Sequence, residues 1–271
     1  MPIIRGLGYL WVVMERRQLG RTSLRVPAIG MGTWQTFDTG EDRRPLVDEA
    51  LRVGMNLFDS SPMYGLAEDT LARALDGRRD EAIISTKIWT SSEAQGRAEA
   101  AHALELFGRI EIYQVHNLVA WPVQLRMLEH LKGEGKVVAV GATHYMPSAF
   151  DELAEVMQTG RLDMIQLPYN PRLRDAERRV LPLAAELGMG VLIHSPLRFG
   201  VLDRRVDRNL LDEIGVKTLA QAVLKWIASD PRVSCVLTAT RRPGRPAENA
   251  AAGDPPWLDA SQRETLARQL G

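Results

Sequence analysis

The sequence predicts an α/β protein of the (β/α)8 or TIM-barrel type, with a short β-hairpin in front of the barrel. Three observations lead there. Eight short runs rich in β-branched residues alternate with helical stretches. A helix between successive strands returns the chain to the same edge, so the strands run parallel. The runs are apolar along their length, as a sheet covered by helices requires. Eight is the strand count of a closed barrel, and 271 residues fit one such unit. An open doubly wound sheet is the competing architecture. It carries a Gly-rich phosphate loop after its first strand, whereas Gly30-Met31-Gly32-Thr33-Trp34 lacks the third glycine and opens no helix.

The elements follow in chain order. RRQLG and LRVPAIG flank Arg21-Thr22-Ser23, which reads as the hairpin. Strand runs are AIGMG at 28–32, NLFD at 56–59, AIISTK at 82–87 and IEIYQVH at 110–116. VVAVGAT at 137–143, MIQLPY at 164–169, GVLIH at 190–194 and VSCVLT at 233–238 complete the set. The first helix, 44–54, places Leu46, Val47, Ala50 and Leu51 on one face and stops at Gly54. The same period covers 66–77, 98–107, 123–135, 148–160, 175–188 and 218–229, more weakly 248–253, with a helix-like tail past Asp259.

Residues 6–14, GLGYLWVVM, are apolar apart from Tyr9. They are too short to span a bilayer, which takes about 20 residues. Glu15, Arg16 and Arg17 follow where a signal peptide needs a small-x-small cleavage site. The expectation is a loose extension over 1–13 and one barrel domain over 14–271. Lys plus Arg and Asp plus Glu are both 34, so the formal charge is zero. That balance points to neither a nucleic acid nor a membrane partner. Cys235 is the single cysteine, so neither an internal disulfide nor a cysteine zinc site can form. This suits a reducing, cytoplasmic setting. Only five of the basic residues are lysine, which draws notice to Lys87 at the end of an apolar strand.

In a (β/α)8 barrel the chemistry sits at the carboxyl ends of the strands. The second strand ends FDSSPMYG, with Asp59 at its tip and Tyr64 in the next loop; the third ends STKIW, with Lys87; the fourth ends YQVHN, with His116. Each alone has an ordinary structural explanation. Four polar groups on consecutive strands outweigh it, because apolar strands rarely end in buried charge without a partner. The chemistry they offer is specific. A tyrosine titrates near about 10, too high for easy proton donation. An ammonium beside it lowers that value, with Lys87 as the ammonium and Asp59 as its counter-ion. His116 can bind a carbonyl oxygen, giving a proton donor and an oxyanion binder. No side chain delivers hydride, so a cofactor must.

On FDSSPMYG, STKIW and YQVHN the chain resembles the aldo-keto reductases, from about Arg17 to Asn249. The resemblance implies a catalytic tetrad of Asp59, Tyr64, Lys87 and His116, with Tyr64 the general acid. It implies that Trp34 and Trp89 line the substrate pocket with His116. It further implies a nicotinamide carboxamide site at Thr143, His144 and Gln166, where His144 replaces the family's usual Asn. His194 stands where a large aromatic usually stacks on the ring, and Ser195 and Leu197 run along the pyrophosphate, with Arg198 next. In TATRRPGRPAEN, the residues Thr240, Arg241, Arg245, Glu248 and Asn249 match the adenosine 2′-phosphate and adenine site, with Ala239 where some members have Lys. Arginine suits phosphate through its planar fork of donors, so NADPH is favoured over NADH.

The leading expectation is therefore reduction of a small aldehyde or ketone. A nicotinamide-binding sensor or regulatory subunit on the same fold is the alternative, kept open by His144 and His194. A metal-dependent barrel enzyme is a third; it lacks a ligand cluster, since His102 and His130 fall in helices. Short segments at Asn117–Trp121 and Phe199–Gly215 predict a shallow pocket and broad tolerance.

Overall fold

The computed structural model describes Met14–Gly271, so the reading of residues 1–13 lies outside the described residues. Two strands, β1 (Arg16–Gln18) and β2 (Arg25–Pro27), pair antiparallel as the hairpin. Eight parallel strands close into a barrel: β3 (Ile29–Gly32), β4 (Leu57–Asp59), β5 (Ile83–Ile88), β6 (Ile110–His116), β7 (Val137–Thr143), β8 (Met164–Pro168), β9 (Gly190–His194) and β10 (Cys235–Ala239), which pairs back onto β3. The helices are α1 (Arg44–Arg52), α2 (Ala67–Ala74), α3 (Glu93–Phe107), α4 (Trp121–Gly133), α5 (Phe150–Gln158), α6 (Val180–Glu186), α7 (Arg208–Glu213), α8 (Leu219–Ala228), α9 (Arg245–Ala250) and α10 (Ala260–Leu270). No helix among the described residues is long and apolar enough to cross a membrane.

Side chains of the barrel strands alternate between two cores. Leu57, Ile83, Ile112, Ala139, Met164, Leu192, Cys235 and Leu237 form an inner cluster with Leu19 and Val26 of the hairpin segment. Their sequence neighbours on the opposite faces, such as Phe58, Ile84, Tyr113 and Val140, belong to the larger core shared with the helices. The hairpin thus plugs the amino end of the barrel. Its fit is close: a Cβ on Gly20, whose φ is +53°, would lie 2.4 Å from the Gly190 nitrogen.

Three helices depart most from the periodic reading, while α9 (Arg245–Ala250) sits three residues before its expected span. The third begins at Glu93 instead of 98, because the Ser92 side chain caps it by accepting from the Gln95 amide. Helix α6 begins only at Val180, after a separate 3-10 turn at Asp175–Glu177, so that Pro182 falls in its first turn, where a missing N–H costs nothing. Helix α7 lies in a stretch read as loop; Asp207 caps it. The strand ends agree with the sequence to within two residues.

Candidate active site

Period-two alternation decides what points into the barrel. On β5 it aims Ile83, Ser85 and Lys87 inward, and on β6 Ile112, Gln114 and His116. The first residue of each trio joins the inner apolar cluster. The next two form polar layers above it, toward the carboxyl ends.

Asp59 is buried at the tip of β4. Its Oδ2 is 2.7 Å from Lys87 Nζ, and Lys87 also donates to the Ser60 carbonyl at 2.6 Å. Ser85 donates to Asp59 Oδ1 at 2.8 Å and Gln166 Nε2 to Oδ2 at 3.3 Å. Gln114 Nε2 donates to both Ser85 Oγ (3.0 Å) and Gln166 Oε1 (2.7 Å). Asp59, Ser85, Gln114 and Gln166 therefore close a hydrogen-bonded ring across four strands. Burial works against charge on Lys87, but Asp59, and to a smaller extent Tyr64, outweigh it; the ammonium is held above its ordinary range.

Tyr64 is the last residue of a short 3-10 turn, Pro62–Tyr64, capped by Ser61. Gly65 ends the turn at φ +62°, and a Cβ there would lie 2.2 Å from Asp38 Oδ1, the oxygen that accepts from the Leu66 amide at 2.9 Å. Glycine is thus demanded both by the backbone and by the close carboxylate. Lys87 Nζ sits 5.2 Å from the centre of the Tyr64 ring, and the ring meets His116 edge-on at 5.9 Å. One sequence expectation is corrected here. The Tyr64 phenol is raised above its ordinary value, not lowered: burial is the largest influence, Lys87 opposes it, and Asp59 adds to it. In this pocket desolvation outweighs the ammonium.

His116 is buried, and burial with the nearby Lys87 charge pushes its pKa down to about 2, so the imidazole is neutral at pH 7. Its Nδ1 lies 3.1 Å from Ser61 Oγ. Trp89 lies 6.5 Å from it, ring to ring. Trp89 and Trp34 are 43% and 38% exposed, and Met63 of the Tyr64 turn is similarly open, so apolar groups rim the mouth. The Arg198 guanidinium lies over the Trp34 ring at 5.1 Å, joining the β9 and β3 loops across the opening.

The remaining candidates lie along neighbouring strand ends. Thr143 is in register with both His116 and Gln166, and His194 with Pro168. Thr143 and Gln166 are buried. His144 is lowered by burial, and its Nδ1 accepts from the Met146 amide. Burial lowers His194 to about 4, and its Nδ1 is 3.0 Å from Ser195 Oγ. Leu197 is partly buried beside the outer core. This donor set, a hydroxyl, an imidazole and a carboxamide in adjacent registers, fits a carboxamide ring. Gln166 still has one N–H and one lone pair uncommitted by its two bonds.

The segment after β10 is set differently. Arg241 and Arg242 are exposed, and Thr240 Oγ1 accepts from the Arg242 amide. Arg245 is bound by Glu248 through both carboxylate oxygens at 2.7 Å. Glu49 of α1 takes the amides of Gly244 and Ala247 at the start of α9, and Asn249 is buried. A phosphate on Arg245 would share that guanidinium with Glu248.

Sequence reading missed Ser61, Ser85 and Gln114. The signal for the last two was available: each stands two residues before a singled-out residue, on the same strand face. No group of three His, Cys, Asp or Glu side chains placed to hold a metal occurs among the described residues.

The family model described as "Aldo/keto reductase family" matches residues 28–268. The NADH-specific methylglyoxal reductase of Escherichia coli K12 is 27% identical, over 95% of this chain and 98% of its own. The L-glyceraldehyde 3-phosphate reductase of the same organism is 25% identical, over 88% and 87%. An aldo/keto reductase of Klebsiella pneumoniae, solved with NADP and acetate, superposes with a TM-score of 0.79 at 23% identity, covering 94% of this chain and 95% of that one. At that identity the likeness speaks to the fold.

Proposed function

The chain belongs to the aldo/keto reductase family, and from that premise we propose that Asp59, Tyr64, Lys87 and His116 carry out reduction of an aldehyde or ketone to the alcohol. The observation that supports this most is the buried Asp59–Lys87 pair at 2.7 Å with Tyr64 and His116 beside it at the barrel mouth. Charge at the end of an apolar strand is costly unless it is used or paired, and here it abuts a phenol.

When bound, the nicotinamide supplies the hydride. The protein's part is to hold the carbonyl and move the proton. Neutral His116 donates a hydrogen bond to the carbonyl oxygen and aims it at the Tyr64 hydroxyl. As negative charge grows on that oxygen, Tyr64 gives up its proton, and the Lys87 ammonium stabilises the phenolate left behind. Burial makes the resting phenol a weak acid, so Lys87 acts chiefly on the transition state, where phenolate charge develops. Asp59, fixed by three donors, keeps Lys87 charged and in place.

Thr143, His144, Gln166 and His194 would hold the carboxamide and ring, and Ser195 and Leu197 the pyrophosphate. Thr240, Arg241, Arg245, Glu248 and Asn249 would hold the adenosine end. The three arginines of that segment favour NADPH over NADH, moderated by Glu248. The apolar rim of Trp34, Met63 and Trp89 favours small, uncharged carbonyl compounds with an aryl or alkyl body. A purely binding role draws no support of its own, since it would leave the buried ion pair without a task.

The test follows NADPH absorbance with an activated aryl aldehyde. The wild type should turn over, and Tyr64→Phe should lose about 10²–10⁴ in kcat while binding NADPH almost unchanged. A Phe variant with near-full activity would remove Tyr64 from the mechanism.

A further inference from the structure

We infer that the Ser61 hydroxyl sets the tautomer of His116, holding the ring proton on Nε2, from which it can be donated as a hydrogen bond to a substrate carbonyl. The inference rests on the reading above that His116 binds the carbonyl oxygen. It comes from a count of protons and lone pairs around one buried hydroxyl.

Ser61 is fully buried. Its Oγ accepts from the Met63 amide at 3.3 Å and lies 3.1 Å from His116 Nδ1. It makes no other hydrogen bond among the described residues. One hydroxyl proton and one lone pair thus remain. Two arrangements are available. If Nδ1 carried the ring proton, it would donate to the remaining lone pair, and the buried hydroxyl proton would have no acceptor. If Nδ1 is bare, the hydroxyl donates to it and every group is satisfied. Leaving a buried donor unpaired costs far more than the bond gains. The second arrangement prevails and puts the proton on Nε2.

The same residue has two effects. Through its lone pair it caps the turn that carries Tyr64; through its proton it orients the imidazole. The charged form, in which both ring nitrogens donate, is suppressed by burial and by Lys87. Nε2 has no hydrogen-bond partner among the described residues, which leaves it for a ligand. Ser61 is therefore a positioning residue: it need not touch the substrate, and acts through His116.

Two measurements on the full-length protein test this. The first is a long-range proton–nitrogen correlation spectrum of ¹⁵N-histidine-labelled, ligand-free protein at pH 7. His116 should show a protonated Nε2 and a bare Nδ1. A protonated Nδ1 overturns the inference, whatever the activity proves to be. The second is a double-mutant cycle on kcat/KM for 4-nitrobenzaldehyde with NADPH, using Ser61→Ala and His116→Gln, whose amide keeps a donor but has no tautomers. Ser61→Ala alone should cost about tenfold, the scale of one hydrogen bond, with NADPH affinity unchanged, and Ser61→Thr should retain most of the activity. In the His116→Gln background the further loss should be under about twofold. Equal losses in both backgrounds would mean that Ser61 serves only as the cap of the Tyr64 turn. A protein with the Nε2 proton in place and no aldehyde reduction would refute the reductase reading and leave the tautomer assignment standing.

Discussion

Arg245 is where the proposed preference for NADPH can be tested at a single contact. Its guanidinium is held by both oxygens of Glu248, so a 2′-phosphate bound there would gain a charge-assisted contact and lose part of it to a neighbouring carboxylate. Arg245→Ala should weaken NADPH about tenfold to a hundredfold and NADH much less, since such contacts are worth about 1.5–3 kcal/mol. Glu248→Gln should tighten NADPH and leave NADH nearly unaffected. Fluorescence titration with both dinucleotides measures this. Parallel shifts of the two would place the phosphate elsewhere.

At the scale of elements, the loops bear strain and the strands do not. Among the described residues, six non-glycine residues have positive φ: Gln35, Asn117, Leu118, Ala120, Ser195 and Phe199. All follow β3, β6 or β9, on the side where Asp59, Tyr64, Lys87 and His116 gather. Left-handed backbone at such residues costs of order 1–3 kcal/mol each and persists only where surrounding packing enforces it. Here it turns the chain sharply beyond His116 and His194. The opposite end of the barrel is a matter of fit. Gly20→Ala would drive a Cβ to within 2.4 Å of backbone in a left-handed residue. It should lower stability by about 1–3 kcal/mol and leave KM for the aldehyde unchanged, as thermal melts and steady-state kinetics would show. Gly65→Ala meets Asp38 instead, and its larger loss should fall on kcat, because the turn it distorts carries Tyr64.

Over the whole molecule, buried titratable groups shape stability against pH. Glu68 of α2 is buried, bonded by Thr86, and raised by burial to about 7. The folded state therefore binds more protons than the unfolded one between about 4.5 and 7, and Glu68 costs stability as pH rises through that window. His116 and His194 act in the opposite sense. Lowered to about 2 and about 4, they bind fewer protons folded than unfolded, so stability is lost as pH falls below about 6.5. Together these three groups predict a melting temperature that climbs from about pH 4 to about 6.5 and levels off near 7. Glu68→Gln keeps an acceptor for Thr86 and should raise the melting temperature at pH 8 while leaving it little changed at pH 4. An equal gain at both values would show that the Glu68 carboxyl does not titrate in this window.

Sequence alone determined the closed barrel, the hairpin and the gathering of Asp59, Tyr64, Lys87 and His116 at the carboxyl ends of neighbouring strands. Each rests on a pattern that local chemistry writes along the chain: β-branched runs, a helical period, polar groups at strand tips. Tertiary structure decided the rest. Helix α7 and the late start of α6 depend on a cap and a proline position too local for a periodic signal. The ring through Ser85, Gln114 and Gln166 joins residues up to 107 positions apart, and only barrel closure brings them within hydrogen-bond reach. The sign of the Tyr64 shift could not be read from the motif. A neighbouring Lys is visible in sequence, but burial is a property of the whole fold, and here it is the larger force. Ser61 stood inside the most conspicuous motif of the chain, yet its pairing with His116 spans 55 residues and exists only because β4 and β6 end on the same side of a closed sheet.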